Sequence, residues 1–230
     1  MKKIIYIVIA IVVLAFIAIL LSGVGGTDTT PASESSEEVL GEESPANSQV
    51  PEGEIVNIST QDSEVSWEGR RPLLENYKDT GNLGIKEGYF TVEGEVLLGG
   101  KVIFDMNTIE ALSTGARAGE DRLAAHLKSP DWFDVESFPT AEFVISEVTE
   151  GSVPGEVTLS GTLTVRSITR NISVPANVNW DEDILTVEGE AELDRTLWDI
   201  KYGSGKFFQD LADNVIDDLF GVEFKAVAQR

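Results

Sequence analysis

No cysteine occurs in the 230-residue sequence. That absence removes disulfides, thiolate nucleophiles and cysteine-based zinc or iron–sulfur sites together, along with the lipidated cysteine of a bacterial lipoprotein. Histidine occurs once, as His126, so metal sites built on two or three imidazoles cannot form. Positive charge is also scarce: 17 Lys and Arg stand against 40 Asp and Glu, for a formal net charge of -23. A surface of that sign repels phosphate backbones and argues against nucleic acid as a partner. It also weakens docking on anionic lipid headgroups, which depends on Lys/Arg clusters. No serine sits in a G-x-S-x-G elbow.

One long apolar run is present. Met1-Lys2-Lys3 precedes unbroken apolar sequence from Ile4 to Leu21. At about 1.5 Å per residue this helix would reach about 27 Å, close to a hydrocarbon core. The two lysines should remain cytoplasmic, so the rest of the chain is expected to be exported to the periplasmic or extracellular face. Residues 1–22 read as a signal peptide or a transmembrane anchor. The run exceeds an ordinary signal core, while Gly23, Gly25 and Gly26 suit a signal peptidase, so both readings stay open. Residues 23–53 are rich in Gly, Ser, Thr, Pro and Glu and contain no Lys or Arg. Such a stretch cannot offset the entropy of ordering and is expected to be a disordered acidic linker.

Beyond it, over residues 54–230, the periodicity becomes two. Phe90, Val92, Gly94, Val96 and Leu98 alternate with polar residues, as do Val157 to Val165, Ile172 to Trp180, Leu185 to Leu193 and Val222 to Ala228. Each reads as a strand with one dry and one wet face. Turns are expected at Gly99-Gly100, at Gly151 to Gly155 and at Asp181-Glu182-Asp183. Many short strands in one domain imply an all-β sandwich or closed barrel. Gly94, Gly161 and Gly189 within the alternation suggest bent strands or room beside the backbone. Two short helices are expected. Glu120 to Lys128 begins with acids and ends with a base before Pro130, and Lys206 to Leu219 carries Phe207, Phe208, Leu211, Val215 and Leu219 at helical spacing.

The segment from His126 to Phe143 reads His-Leu-Lys-Ser-Pro-Asp-Trp-Phe-Asp-Val-Glu-Ser-Phe-Pro-Thr-Ala-Glu-Phe. It resembles the H-L-x-S-x-D-F-F-D-V-x-x-Y-P-x-A-x-F signature of the YceI family, with Trp132 and Phe138 keeping an aromatic at the two changed places. The stretch from Leu159 to Arg170 is similar to that family's G-x-L-T-x-x-G-x-T-R, with Ser167 in place of the glycine. Further likeness lies at Leu193 to Tyr202 and from Phe207-Phe208 to Asp217. The family's early histidine has no counterpart near Arg70-Arg71, so its role is not transferred. The resemblance implies an antiparallel, lipocalin-like β-barrel of about eight strands. It also implies an exported protein whose apolar interior holds a polyprenyl chain, as in isoprenoid quinones, without catalysis.

The dry faces give the candidate cavity residues: Phe90, Val92, Phe104, Phe143, Ile145, Leu159, Leu163, Val187 and Phe224, with Trp132, Phe133 and Phe138 at one mouth. His126 has three readings: a structural imidazole bonded to backbone or carboxylate, a polar contact to a ligand headgroup, or a base in a hydrolase using nearby Ser129, Ser137, Asp131 or Asp134. Asp131, Asp134 and Glu136 lack EF-hand spacing. No catalytic residue, metal or cofactor is expected. The expected partners are a long-chain polyprenyl or other lipid and the membrane, through residues 4–21; a homodimer is left open. The competing reading is a non-catalytic envelope interaction or stress-response module with a packed interior.

Overall fold

The computed structural model describes residues 49–115, 119–209, 211 and 214–230. The apolar run 4–21 and the linker up to residue 48 lie outside these residues. Among the described residues no helix is long and apolar enough to cross a membrane.

Nine strands are present among the described residues: β1 (Glu54–Ile58), β2 (Glu64–Arg70), β3 (Lys78–Glu93), β4 (Val96–Ser113), β5 (Thr140–Glu150), β6 (Glu156–Val165), β7 (Ile168–Asp181), β8 (Ile184–Asp194) and β9 (Leu219–Gln229). One α-helix, α1 (Glu120–Lys128), packs against β4. All pairings are antiparallel, and β3–β4 closes the sheet into a barrel. β1 and β2 together form one stave. β1 pairs with Tyr89 to Val92 of β3, β2 with Lys78 to Asn82, and both also pair with β9. At the break between them, Ser59 N donates to Val227 O (2.7 Å), and Val227 N donates to Ser63 Oγ (2.9 Å). The stave changes course without orphaning the backbone of β9. The barrel is therefore eight-staved, the size at which an interior is either just filled or holds one small ligand.

Most of the expected strands are found, with two changes of punctuation. Phe90 to Leu98 is not one strand, because Gly94-Glu95 forms a two-residue hairpin turn with Gly94 at φ 61°. Gly99-Gly100 is not a turn; it lies inside β4. A Cβ at Gly100 would come within 2.6 Å of Tyr89 O and 2.9 Å of a Phe90 ring carbon. Here glycine is needed for close approach rather than for chain reversal. The same holds at Gly161, whose Cβ would strike Val144 O, and at Gly189, whose Cβ would meet Pro175 O. These glycines mark tight coiling, not room. Register shifts between Thr80 and Gly81, Asn82 and Gly84, and Ile85 and Glu87 bend β3 against β4.

Among the described residues the second expected helix is not found: residues 201–209 run through turns and bends, Asn214 has 3-10 conformation, and Leu219 begins β9. Phe207 and Phe208 both donate their N–H to Ser204 O and stand about half exposed. Helical spacing there reflected no buried face.

Two apolar clusters build the core. The first includes Val56, Val92, Leu97, Leu185 and Ala228 and fills the end bearing the turns at 94–95, 151–155 and 182–183. Trp180 seals that closed end by donating Nε1–H to Glu95 O (2.8 Å) under the Arg230 guanidinium. The second, with Met106, Leu127, Trp132, Val135, Trp198 and Ile200, lies toward the opposite end, beneath α1 and the segment that follows it. Trp180 and Trp198 are thus packing residues, Trp198 donating to Leu163 O (3.2 Å).

Candidate ligand cavity

Alternation in the staves turns one face of each inward, yet those side chains do not meet across the axis. Between the two clusters lies a cavity of about 870 Å³, near the upper end of the roughly 300–1,000 Å³ usual for ligand pockets. Its wall is apolar: Leu83 and Ile85 of β3, Phe104 and Met106 of β4, Phe143 and Ile145 of β5, Leu159 and Leu163 of β6, Val174 of β7, Val187 of β8, and Phe224 and Ala226 of β9. Phe104, Phe143 and Phe224 face inward and still keep partial exposure, which only an unfilled interior allows. Phe90, Ile145, Leu159 and Val187 are almost fully buried at its floor. The cavity opens at the other end, where Arg70, Arg122 and Leu219 are exposed lining residues.

Of the residues expected to line it, Phe90, Phe104, Trp132, Phe133, Phe143, Ile145, Leu159, Leu163, Val187 and Phe224 do, and so does His126. Val92 does not. It is 1% exposed within the closed-end cluster, because the cavity stops short of that level. Phe138 is half-buried and also outside the lining. The pattern missed Val65 and Trp67 of β2, although Val65 and Trp67 alternate with polar neighbours. It also missed a polar rim of Arg70, Arg71, Tyr77, Asp79, Arg122, Tyr202 and Asp217. Rim residues come from loops and strand ends, where no period announces them.

One side of the mouth is set by the segment after α1. Pro130 ends the helix, and a chain of backbone bonds folds the segment on itself: Phe133 N to Leu127 O (3.1 Å), Asp134 N to Ser129 O (2.9 Å) and Val135 N to Lys128 O (3.0 Å). Asp134 takes a positive φ of 46° to complete the turn. Trp132 and Val135 are thereby buried, and Phe133 faces the cavity. His126 meets Tyr202 edge-on at 4.7 Å between ring centroids and Trp132 at 6.1 Å. Its imidazole is held by rings rather than by a backbone or carboxylate hydrogen bond among the described residues. Ser129 Oγ donates to the His126 carbonyl (2.7 Å), not to the ring, so no serine–histidine couple is formed there. Among the described residues no three Asp, Glu or His side chains converge as metal ligands, Asp131, Asp134 and Glu136 included.

Behind Trp132 lies Arg195, 2% exposed, its guanidinium carbon 5.0 Å from the Trp132 ring centre. It donates from Nη1 to Ile200 O (2.8 Å), from Nε to Asp217 O (3.0 Å) and from Nη2 to Ile216 O (3.2 Å), with Asp218 Oδ1 at 3.4 Å. Burial lowers its pKa from the ordinary arginine value, against the pull of Asp218. This network ties the strand-poor stretch 195–218 to the barrel rim.

Fold and site together define a class: a closed antiparallel β-barrel, lipocalin-like, around an apolar chamber open at one end. Residues 57–228 match the family model of the YceI-like domain, and the chain belongs to that family. Among solved structures it is similar to Burkholderia cenocepacia BcnA, at 18% identity and a TM-score of 0.55, over 75% of this chain and 99% of that one. It is also similar to a polyisoprenoid binding domain from Saccharophagus degradans implicated in plant cell wall breakdown, at 15% identity and a TM-score of 0.56, over 76% and 97%. Both likenesses bear on the fold. No curated protein matches.

Proposed function

We propose that this protein is an exported binding or carrier module that holds a long apolar chain, isoprenoid or quinone-like, inside its barrel, and that it acts by binding rather than by catalysis. The observation that carries the reading is the unfilled chamber of about 870 Å³ with an almost wholly apolar wall. A packed interior, as a purely structural interaction module would have, leaves no such space. The polyisoprenoid binding recorded for the Saccharophagus degradans relative adds support.

Magnitudes suit this role. Each methylene moved from water into such a chamber is worth about 0.8 kcal/mol, so a five-carbon isoprene unit gains roughly 3–4 kcal/mol. Two or three units offset association costs and reach about micromolar affinity. A lipid drawn from a bilayer is already out of water, however, so exchange with a membrane is close to balanced. A chamber tethered near the bilayer by residues 4–21 then raises the encounter frequency that a balanced exchange needs.

The test is organic extraction of purified full-length protein followed by mass spectrometry. A stoichiometric long-chain lipid is the expected result. Protein that comes out empty, and takes up no polyprenol or quinone from mixed micelles, overturns the reading.

A further inference from the structure

Exposed apolar side chains occur at both ends, Ile55, Val96, Val153 and Ile184 at the closed one, but the exposed aromatic ones gather at the other. Tyr202, Phe207, Phe208 and Leu219 are each more than 40% exposed, and they stand at the open end, with Tyr202 and Leu219 themselves in the cavity lining. Lys201 places its ammonium 5.0 Å from the Phe207 ring centre, and the two phenylalanines share one anchoring carbonyl, Ser204 O. Aromatic side chains beside bases are the composition that settles at a membrane–water interface.

Charge is segregated along the same axis. The closed end carries Glu93, Glu95, Glu150, Asp181, Glu182 and Asp183 on its turns and strand ends. At the mouth several acids are matched, Glu68 by Arg70 and Lys78, Asp194 and Asp218 by Lys206, Asp199 by Lys201, while the rim residues Asp79 and Asp217 form no ion pair among the described residues. Arg71 stacks on Tyr77 at 4.9 Å, and Arg122 has no carboxylate within ion-pair distance among the described residues. An anionic surface therefore repels the closed end more strongly than the mouth.

We infer that the barrel docks mouth-first on a phospholipid bilayer, with Phe207 and Phe208 entering the interface and Arg71 and Arg122 meeting headgroups. Its chamber then opens directly onto the acyl layer. The choice of a bilayer as partner rests on the lipid-carrier reading.

Absence of native cysteine allows a clean test. In full-length protein reconstituted into vesicles of phosphatidylethanolamine with a minority of phosphatidylglycerol, an environment-sensitive fluorophore is placed at Gln209→Cys or, at the closed end, at Ser152→Cys. The Gln209 label should shift to the blue and be quenched by lipid-borne quenchers, while the Ser152 label stays aqueous. Adding Phe207→Ser and Phe208→Ser should return the Gln209 label to the aqueous spectrum without altering Tm, each Phe contributing roughly tenfold to partitioning. Two labels that behave alike, or a Gln209 signal indifferent to the double substitution, overturn the inference. Lipid found on extraction alongside an aqueous Gln209 label would sink the docking geometry alone, leaving the carrier reading standing.

Discussion

Ser167 occupies the second position of the turn between β6 and β7, where Val165 pairs with Ile168 and only Arg166 and Ser167 intervene. Both have positive φ, 49° and 62°. That is the conformation a two-residue hairpin requires, and one that a side chain disfavours by about 1 kcal/mol. The family pattern has glycine at this position, so the strain is a local feature of this chain. Ser167→Gly is expected to raise stability by about 0.5–1 kcal/mol, read as a Tm increase of a few degrees. A lower Tm would mean the hydroxyl, not the backbone, governs the turn. Asp194 sets a second residue-scale expectation. Its burial resists ionisation, but hydrogen bonds from the Thr196 hydroxyl (2.6 Å), the Lys206 ammonium (2.9 Å) and the Thr196 amide (2.9 Å) outweigh that and hold its carboxyl below the usual range. A folded-state pKa below the unfolded one gives stability that is present above about pH 4 and lost as pH falls through the folded value. Glu68, lowered by Lys78 and Arg70 against its own desolvation, acts in the same direction. Tm measured from pH 7 to pH 3 should therefore fall more steeply at the acid end for the native protein than for Asp194→Asn, which starts lower.

At the scale of elements, the chamber exists because strands are bent hard while their inward side chains are not long enough to meet. Gly161 and Gly189 let β6 and β8 press against neighbouring backbone, and the shifts between β3 and β4 add curvature. Ala191, on the inward face of β8, leaves space that a larger side chain would take. Ala191→Phe should reduce the lipid recovered per mole of protein several-fold. Because the ring enters a void and not a packed core, Tm should change little. Unchanged lipid content with the added ring in place would mean that the ligand lies elsewhere. The segment from Ser129 to Phe138 is the other element that matters. It is neither helix nor strand, yet its internal hydrogen bonds fix Trp132 and Phe133 at the mouth.

For the whole molecule, the arrangement of charge counts for more than its sum. A net charge of -23 speaks against approach to an anionic bilayer, but Glu68, Asp194, Asp199 and Asp218 at the mouth are paired with cations, whereas the turns of the closed end carry Glu95, Glu182 and Asp183. The first described strand enters at the closed end, since Glu54 pairs with Val92.

Period-two alternation sufficed to identify β6, β7, β8 and β9 and their inward residues, because a strand's two faces are written directly into neighbouring positions. The ordered motifs from His126 to Phe143 and from Leu159 to Arg170 sufficed for the family. Alternation did not separate Val92 from Phe90: both face inward, and only the level at which the closed-end cluster stops makes one a plug and the other a cavity floor. Nor could it say whether Gly100 was a turn or a strand residue, since a glycine needed for close approach and one needed for chain reversal look alike. The spacing of Phe207, Phe208 and Leu211 suggested a helix, and the fold instead left the two phenylalanines exposed beside the mouth. Local pattern determined which side chains are dry and which way the chain turns inward. Closure of the sheet decided what those side chains enclose, because an unfilled volume depends on contacts between staves far apart in sequence.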